Sequence, residues 1–130
     1  MADGAPDPAS SVDRALAAAR ERIDRVTPSD LDREVAAGAM VIDLRPAADR
    51  DLDGPLPGAV VVERIHLEWR LDPTSPDRLP GVTAATRAVL VCNEGYASSL
   101  AAATLRDLGL PGATDLVGGY RAWAALRSTG

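Results

Sequence analysis

This 130-residue chain contains a single cysteine, Cys92, and a thiol is the side chain best suited to covalent chemistry. Cys92 stands in the stretch VLVCNEGYASS, residues 89–99, where an apolar run meets a polar loop and then an alanine-rich segment. Gly95 permits a positive φ or a close backbone approach. Ser98 and Ser99 are suitable N-cap residues for the helix expected to follow. A loop bent in this way before a helix aims several backbone N–H groups at one point and forms an anion nest, reinforced by the helix dipole. A cysteine at its centre would have its thiolate favoured, and the thiolate is the nucleophile. The bland reading stands beside this one: free cysteines are among the most buried residue types, and one at a strand end can simply pack.

The elements that would position this residue follow from apolar runs and punctuation. A helix is expected from Ser10 or Ser11, with Val12, Leu16, Ala19 and Ile23 on one face. A short strand is expected at Arg25–Thr27. Pro28 begins a helix through Ala37, which Gly38 ends. Met40–Ile42, Val60–Val62 and Val89–Val91 are apolar without alternation, which suits strands covered on both faces of a parallel sheet. Leu44–Gly58 reads as turn-rich, Glu63–Leu71 as helical, and Asp72–Thr83, with three prolines, as a surface loop. Ser98–Leu108 is a helix closed by Gly109, Ala113–Val117 a last strand, and Tyr120–Arg127 a closing helix after Gly118 and Gly119. The expected architecture is α/β: three αβα layers around a mostly parallel sheet of about five strands, with residues 1–24 as an extension and 25–130 as the domain. In a parallel sheet the C-terminal strand ends share one edge, where open α/β folds bind ligands. Asp43, Glu63 and Cys92 are brought to that edge.

Composition narrows the function classes. A domain of this length buries roughly two-thirds of its unfolded surface and needs no staple. One cysteine cannot form an internal disulfide, and with a single histidine, His66, it cannot build a structural zinc site. The formal net charge is −5 and aromatics make up 3% of the residues, which argues against a nucleic-acid surface. All fourteen basic residues are arginine. No apolar run approaches the roughly 20 residues of a membrane span, and the start lacks the regions of a signal peptide, so a cytoplasmic location is expected. No cofactor is implied. His66, Trp69 and Trp123 read as packing residues, Trp69 more as core than as pocket rim. Tyr96, inside the loop, is expected at the pocket mouth.

Four segments in order, VIDLR (41–45), GPLPGA (54–59), VLVCNEGYASS (89–99) and LVGGYRAW (116–123), resemble the rhodanese-like domain family over about residues 25–127. The resemblance implies a sulfurtransferase. Cys92 would accept sulfane sulfur from thiosulfate or a persulfide and pass it to cyanide or a thiol, with Asn93, Glu94, Gly95, Tyr96, Ala97 and Ser98 forming the surrounding loop. Many relatives carry arginines in that loop. Here Asn93 and Ala97 take those places and Glu94 adds a negative charge, so a dianionic donor finds no clamp in the loop itself. Arg45, Arg64 and Arg70 are the candidates for supplying one from elsewhere, although Arg64 with Glu68 also reads as a helix ion pair. Asp43 is expected to orient an arginine or the loop backbone. The phosphatase relatives use a loop one residue longer that ends in an arginine, which this chain lacks. The missing arginines also leave open a binding or sensing module that relays persulfide sulfur to a protein partner. The N-terminal helix packs either on its own domain or on a second copy as a homodimer.

Overall fold

The computed structural model describes residues 9–129. The start of the chain, expected to be irregular, lies outside the described residues apart from Ala9. Four parallel strands form the sheet in the order β2-β1-β3-β4: β1 is Met40–Asp43, β2 Val60–Val61, β3 Ala88–Val91 and β4 Ala113–Asp115. The fifth strand expected at Arg25–Thr27 is reduced to one parallel bridge, Val26 to Leu116, with Val26 N–H donating to Asp115 and Val117 N–H to Val26. Among the described residues six α-helices surround the sheet: α1 (Ser11–Glu21), α2 (Leu31–Ala36), α3 (Ala47–Asp53), α4 (Leu67–Leu71), α5 (Ala97–Asp107) and α6 (Gly119–Thr129).

Both sheet faces are covered, and the strand period of two shows how. Ile42, Leu44 and Leu90 point into a core with Leu67, Leu71 and Leu105. Val41, Val89 and Val91 point the other way, against Leu31, Leu56, Leu116 and Tyr120. The central strand β3 is fully buried, as its unbroken apolar run requires, whereas edge strand β2 leaves Val60 and Val61 exposed. Helix α3 lies inside the segment expected to be turns. Its sequence AADRDLD has no apolar stripe, and Gly54, at φ +92°, ends it. Trp69 is 59% exposed rather than in the core: Leu67 and Leu71, four residues apart, take the inward face of α4 and leave Trp69 outside.

Helix α1 opens with a capping box between Ser10 and Asp13 and packs along α5 of its own domain, where Ala19 is buried. Ion pairs fix it there. Arg22 binds Asp107 and, by hydrogen bond first and charge second, holds that carboxyl below its ordinary value of 3.8. Asp24 accepts from Arg87 and Arg106, both at 2.9 Å. Burial pushes the Asp24 carboxyl up, but the hydrogen bond and charge of Arg87, with the charge of Arg106, outweigh it and hold the carboxyl below 3.8. None of the described helices is long and apolar enough to cross a membrane.

Candidate active site around Cys92

Cys92 follows β3 directly, at the edge where β1 also ends, and Leu44 N–H donates to Val91 across the two. The loop then turns through Gly95, at φ +87°, into α5. The Cys92 sulfur is half-buried and accepts two main-chain hydrogen bonds, from Gly95 N–H at 3.2 Å and Ser98 N–H at 3.4 Å.

The neighbouring elements fix the orientation of the loop's other peptide planes. Helix α6 presents its first turn to the loop: Tyr120 N–H donates to the Cys92 carbonyl at 2.8 Å and Arg121 N–H to the Asn93 carbonyl at 3.1 Å. On the other side the Gly95 carbonyl accepts from Arg20 at 2.7 Å and from Arg25 at 3.0 Å. A peptide plane carries its N–H opposite its C=O. Three carbonyls held from outside therefore turn the N–H groups of Asn93, Glu94 and Tyr96 the opposite way, and none of these three has a protein acceptor among the described residues. Two loop amides thus bind the sulfur, and three more have no protein acceptor among the described residues.

Glycines make the approach of α6 possible. A Cβ on Gly119 would meet the Cys92 carbonyl at 2.4 Å, and one on Gly95 would meet Gly118 N at 2.8 Å. The loop glycine and the glycine pair thus face one another with no room for side chains.

Beneath the loop lies a buried polar cluster. Asp115, at the end of β4, is fully buried and accepts from Ser98 Oγ at 2.8 Å and Ser99 Oγ at 2.7 Å. Arg25 neutralises it through Nε at 2.8 Å and Nη2 at 3.2 Å. A buried carboxylate is tolerable only when paired in this way. The two serines are therefore not N-caps; that position falls to Tyr96 with no side-chain cap, and Asp115 claims both hydroxyls. Ser98 Oγ also lies 3.2 Å from the sulfur. Since its proton goes to Asp115, it accepts the thiol hydrogen, which gives the chain Cys92 S–H to Ser98 O–H to Asp115.

The arginines proposed as clamps lie elsewhere. Arg45 is completely buried. Its Nε and Nη2 donate to Asp43 at 3.1 and 2.9 Å, Nη2 also donates to the Gly54 carbonyl, and its guanidinium stacks on Tyr120 at 3.8 Å from the ring centroid. Asp43 does orient an arginine, but the pair ties β1 to the Gly54 turn and has no face toward a ligand. Arg64 donates twice to Glu68 at 2.9 Å, and Arg70 donates to the Asp77 carbonyl at 2.8 Å. The cations that do touch the loop are Arg20 and Arg25, which the sequence reading missed.

Within the loop Glu94 and Ala97 are exposed, while Asn93 is half-buried and encloses its Oδ1 without a donor. Tyr96 is 59% exposed. It forms one wall of an open groove of about 490 Å³, with Val12, Leu16, Ala97 and Leu100. No cluster of ligating side chains that could hold a metal ion occurs among the described residues.

The rhodanese-like domain model matches residues 27–126. A protein of unknown function from Rhodopseudomonas palustris, described as a possible tyrosine phosphatase, superposes with a TM-score of 0.80 at 29% identity, covering 95% of this chain and 97% of that one. A human single-domain sulfurtransferase superposes with a TM-score of 0.62 at 27% identity over 78% of this chain and 95% of that one. A thiosulfate sulfurtransferase from Pseudomonas aeruginosa matches with a TM-score of 0.63 at 25% identity; 81% of this chain covers only 18% of that longer protein. No curated protein matches this sequence.

Proposed function

This chain belongs to the rhodanese-like domain family, and on that premise we propose that it is a sulfurtransferase that carries sulfane sulfur on Cys92 as a persulfide. The observation that carries this reading is the half-buried sulfur receiving the N–H groups of Gly95 and Ser98 while further loop amides remain unengaged. Main-chain donors aimed at a site of developing charge are each worth on the order of 3 kcal/mol when one is removed from an anion-stabilising site. They suit a sulfur that is anionic as attacking thiolate and again as bound persulfide.

In the first half-reaction the Cys92 sulfur attacks the outer sulfur of a donor. The new S–S bond forms as the donor's own bond to that sulfur breaks, and the electron pair leaves with the donor remnant. With a small-molecule persulfide anion, Cys–SH and RSS⁻ become Cys–SS⁻ and RSH, so the thiol proton ends on the leaving thiol. Ser98 serves both stages: its oxygen accepts the thiol hydrogen, and its hydroxyl can turn to the ionised sulfur because Arg25 and Ser99 continue to hold Asp115. In the second half-reaction a thiol or cyanide attacks the terminal sulfur and regenerates the cysteine. Oxidant and reductant are not required.

The loop's side chains favour a persulfide over thiosulfate as donor. Glu94 is the loop's one ionisable carboxyl, and positions 93 and 97 carry no cation, so a dianion meets no clamp there. The same composition speaks against phosphate-ester hydrolysis. No residue from Asn93 to Ser98 is an arginine that could grip a phosphate in bidentate fashion. The lone thiol suits a reducing compartment, the cytoplasm, and Tyr96 with its groove offers a landing surface for the acceptor, whether a small thiol or a protein partner.

Incubation with thiosulfate and, separately, with a persulfidated small thiol, followed by intact-mass measurement, tests the reading. The expected result is an adduct of one sulfur atom that reductant removes, greater with the persulfide, and absent from Cys92→Ser. If neither donor loads the wild type, the transferase reading fails and a sulfur-independent binding module takes its place.

A further inference from the structure

We infer that Arg20, on the helix ahead of the matched domain, is a positioning residue for the sulfur loop, which makes the N-terminal segment part of the working site. The family match begins at residue 27, whereas both guanidinium groups that touch the loop, those of Arg20 and Arg25, come before it.

Arg20 engages the loop and the first turn of α5 at three points. Its Nη2 donates to the Gly95 carbonyl at 2.7 Å, its Nε donates to Ser99 Oγ at 3.1 Å, and its guanidinium lies 5.7 Å from the centroid of the Tyr96 ring. The carbonyl contact sets the plane of the peptide joining Gly95 to Tyr96, and hence the direction of the Tyr96 N–H. The contact with Ser99 ties the same fork to the first turn of α5, whose Ser98 N–H reaches the sulfur. An arginine can span these points because its donors form a rigid planar fork; a lysine has one rotating head.

The charges of the two arginines differ in effect. Arg25 is cancelled by Asp115, which it binds through two nitrogens. Arg20 pairs with no carboxylate among the described residues, so its positive charge stands uncompensated behind a loop that lost its own cations at positions 93 and 97. The charged residues on the elements packed against the loop are Arg20 from α1, the Arg25–Asp115 pair from the bridge and β4, Arg121 on the first turn of α6, and Glu94 in the loop itself. Of the two whose guanidinium groups touch the loop, Arg20 is the one whose loss removes net positive charge without leaving a buried carboxylate unpaired. It does not touch the reacting atoms; it acts through the loop's geometry and field.

The inference rests on Cys92 acting as a thiolate nucleophile, but its test needs no sulfur donor, so its outcome is separate from that of the transferase reading. The pseudo-first-order rate of Cys92 alkylation by iodoacetamide would be followed across pH in the full chain for wild type, Arg20→Ala, Arg20→Lys and Arg22→Ala. Arg22 is the C-cap of the same helix and also binds α5, through Asp107, but does not reach the loop. Arg20→Ala is expected to slow alkylation at neutral pH about fivefold and to move the profile to higher pH than wild type, the scale of one unit charge acting through a well-screened path. Arg20→Lys should fall between, and Arg22→Ala should coincide with wild type. A profile for Arg20→Ala that coincides with wild type would overturn the inference. So would an equal shift in Arg22→Ala, which would assign the effect to helix docking. Should Arg20→Ala not fold, Arg20→Lys decides: a partial shift supports the assignment and no shift overturns it.

Discussion

Two adjacent strands end at the same edge of the sheet and are finished in opposite ways. At the end of β1, Asp43 and Arg45 form a completely buried pair, closed above by the Gly54 carbonyl and below by the face of Tyr120. At the end of β3, the Cys92 sulfur is half-open, with amides aimed at it and a charged cluster kept one layer beneath. Both ends carry a buried carboxylate with an arginine. What separates them is whether the ion pair is the endpoint or the support: Arg45 binds Asp43 through Nε and Nη2 and leaves its buried Nη1 without a partner, whereas Asp115 and Arg25 hold serines and a glycine that serve something else. A buried charge beside a ligand edge is thus no evidence of chemistry until its hydrogen bonds are followed outward.

Substitutions at the two ends should give opposite signatures. The largest effect on stability is expected at the closed end: Arg45→Ala leaves Asp43 buried and unpaired, costing about 3–5 kcal/mol, which thermal unfolding would register as a fall in Tm on the order of 10 °C. Replacing the pair together, Asp43→Leu with Arg45→Met, should recover most of that, since apolar groups of similar volume often match a buried ion pair. Loss in the double variant as great as in the single would mean the pair contributes more than mutual neutralisation. At the open end the order reverses. Gly95→Ala forces an L residue to φ +87° and sets a Cβ 2.8 Å from Gly118 N; strain of this kind costs about 1–3 kcal/mol. Its sulfur loading from a small persulfide should fall at least tenfold, far out of proportion to the shift in Tm. If loading is unchanged, the amide nest does not act on the sulfur. The smallest effect lies outside both ends. Arg64→Ala removes an exposed ion pair with Glu68 and should change stability by no more than about 0.5 kcal/mol and loading not at all; a clear loss of loading would return Arg64 to the site.

The framework was legible because it depends on local pattern. Unbroken apolar runs marked β1 and β3, and the position of Cys92 at the end of one of them brought it to the ligand edge. Asp43 and Arg45, two apart in extended chain, share a face, which allows their pairing, although the spacing left open whether Asp43 held an arginine or the loop backbone. The support beneath the loop was not legible in the same way. Periodicity says which residues of α1 share a face, but not where along α5 the helix lands, so nothing local reveals that Arg20 meets the Gly95 carbonyl. Asp115 did carry a signal: a carboxylate within the buried strand segment ATDLV must find partners, and the adjacent serines of the loop were the nearest hydroxyls by topology. Helix α3 escaped because it has no apolar stripe; only the turn glycine at its end marks it.

The meeting of Gly95 with Gly118 and Gly119 constrains how this protein can change. Two chain segments touch there through bare backbone, so the shape of the loop admits no graded series of larger residues; it fits or it does not. On the sulfurtransferase reading, variation that alters donor choice is therefore expected at positions 94, 96 and 97, whose side chains are exposed. Libraries built at those three positions explore chemistry on a fixed mould, while changes at the glycines only break it.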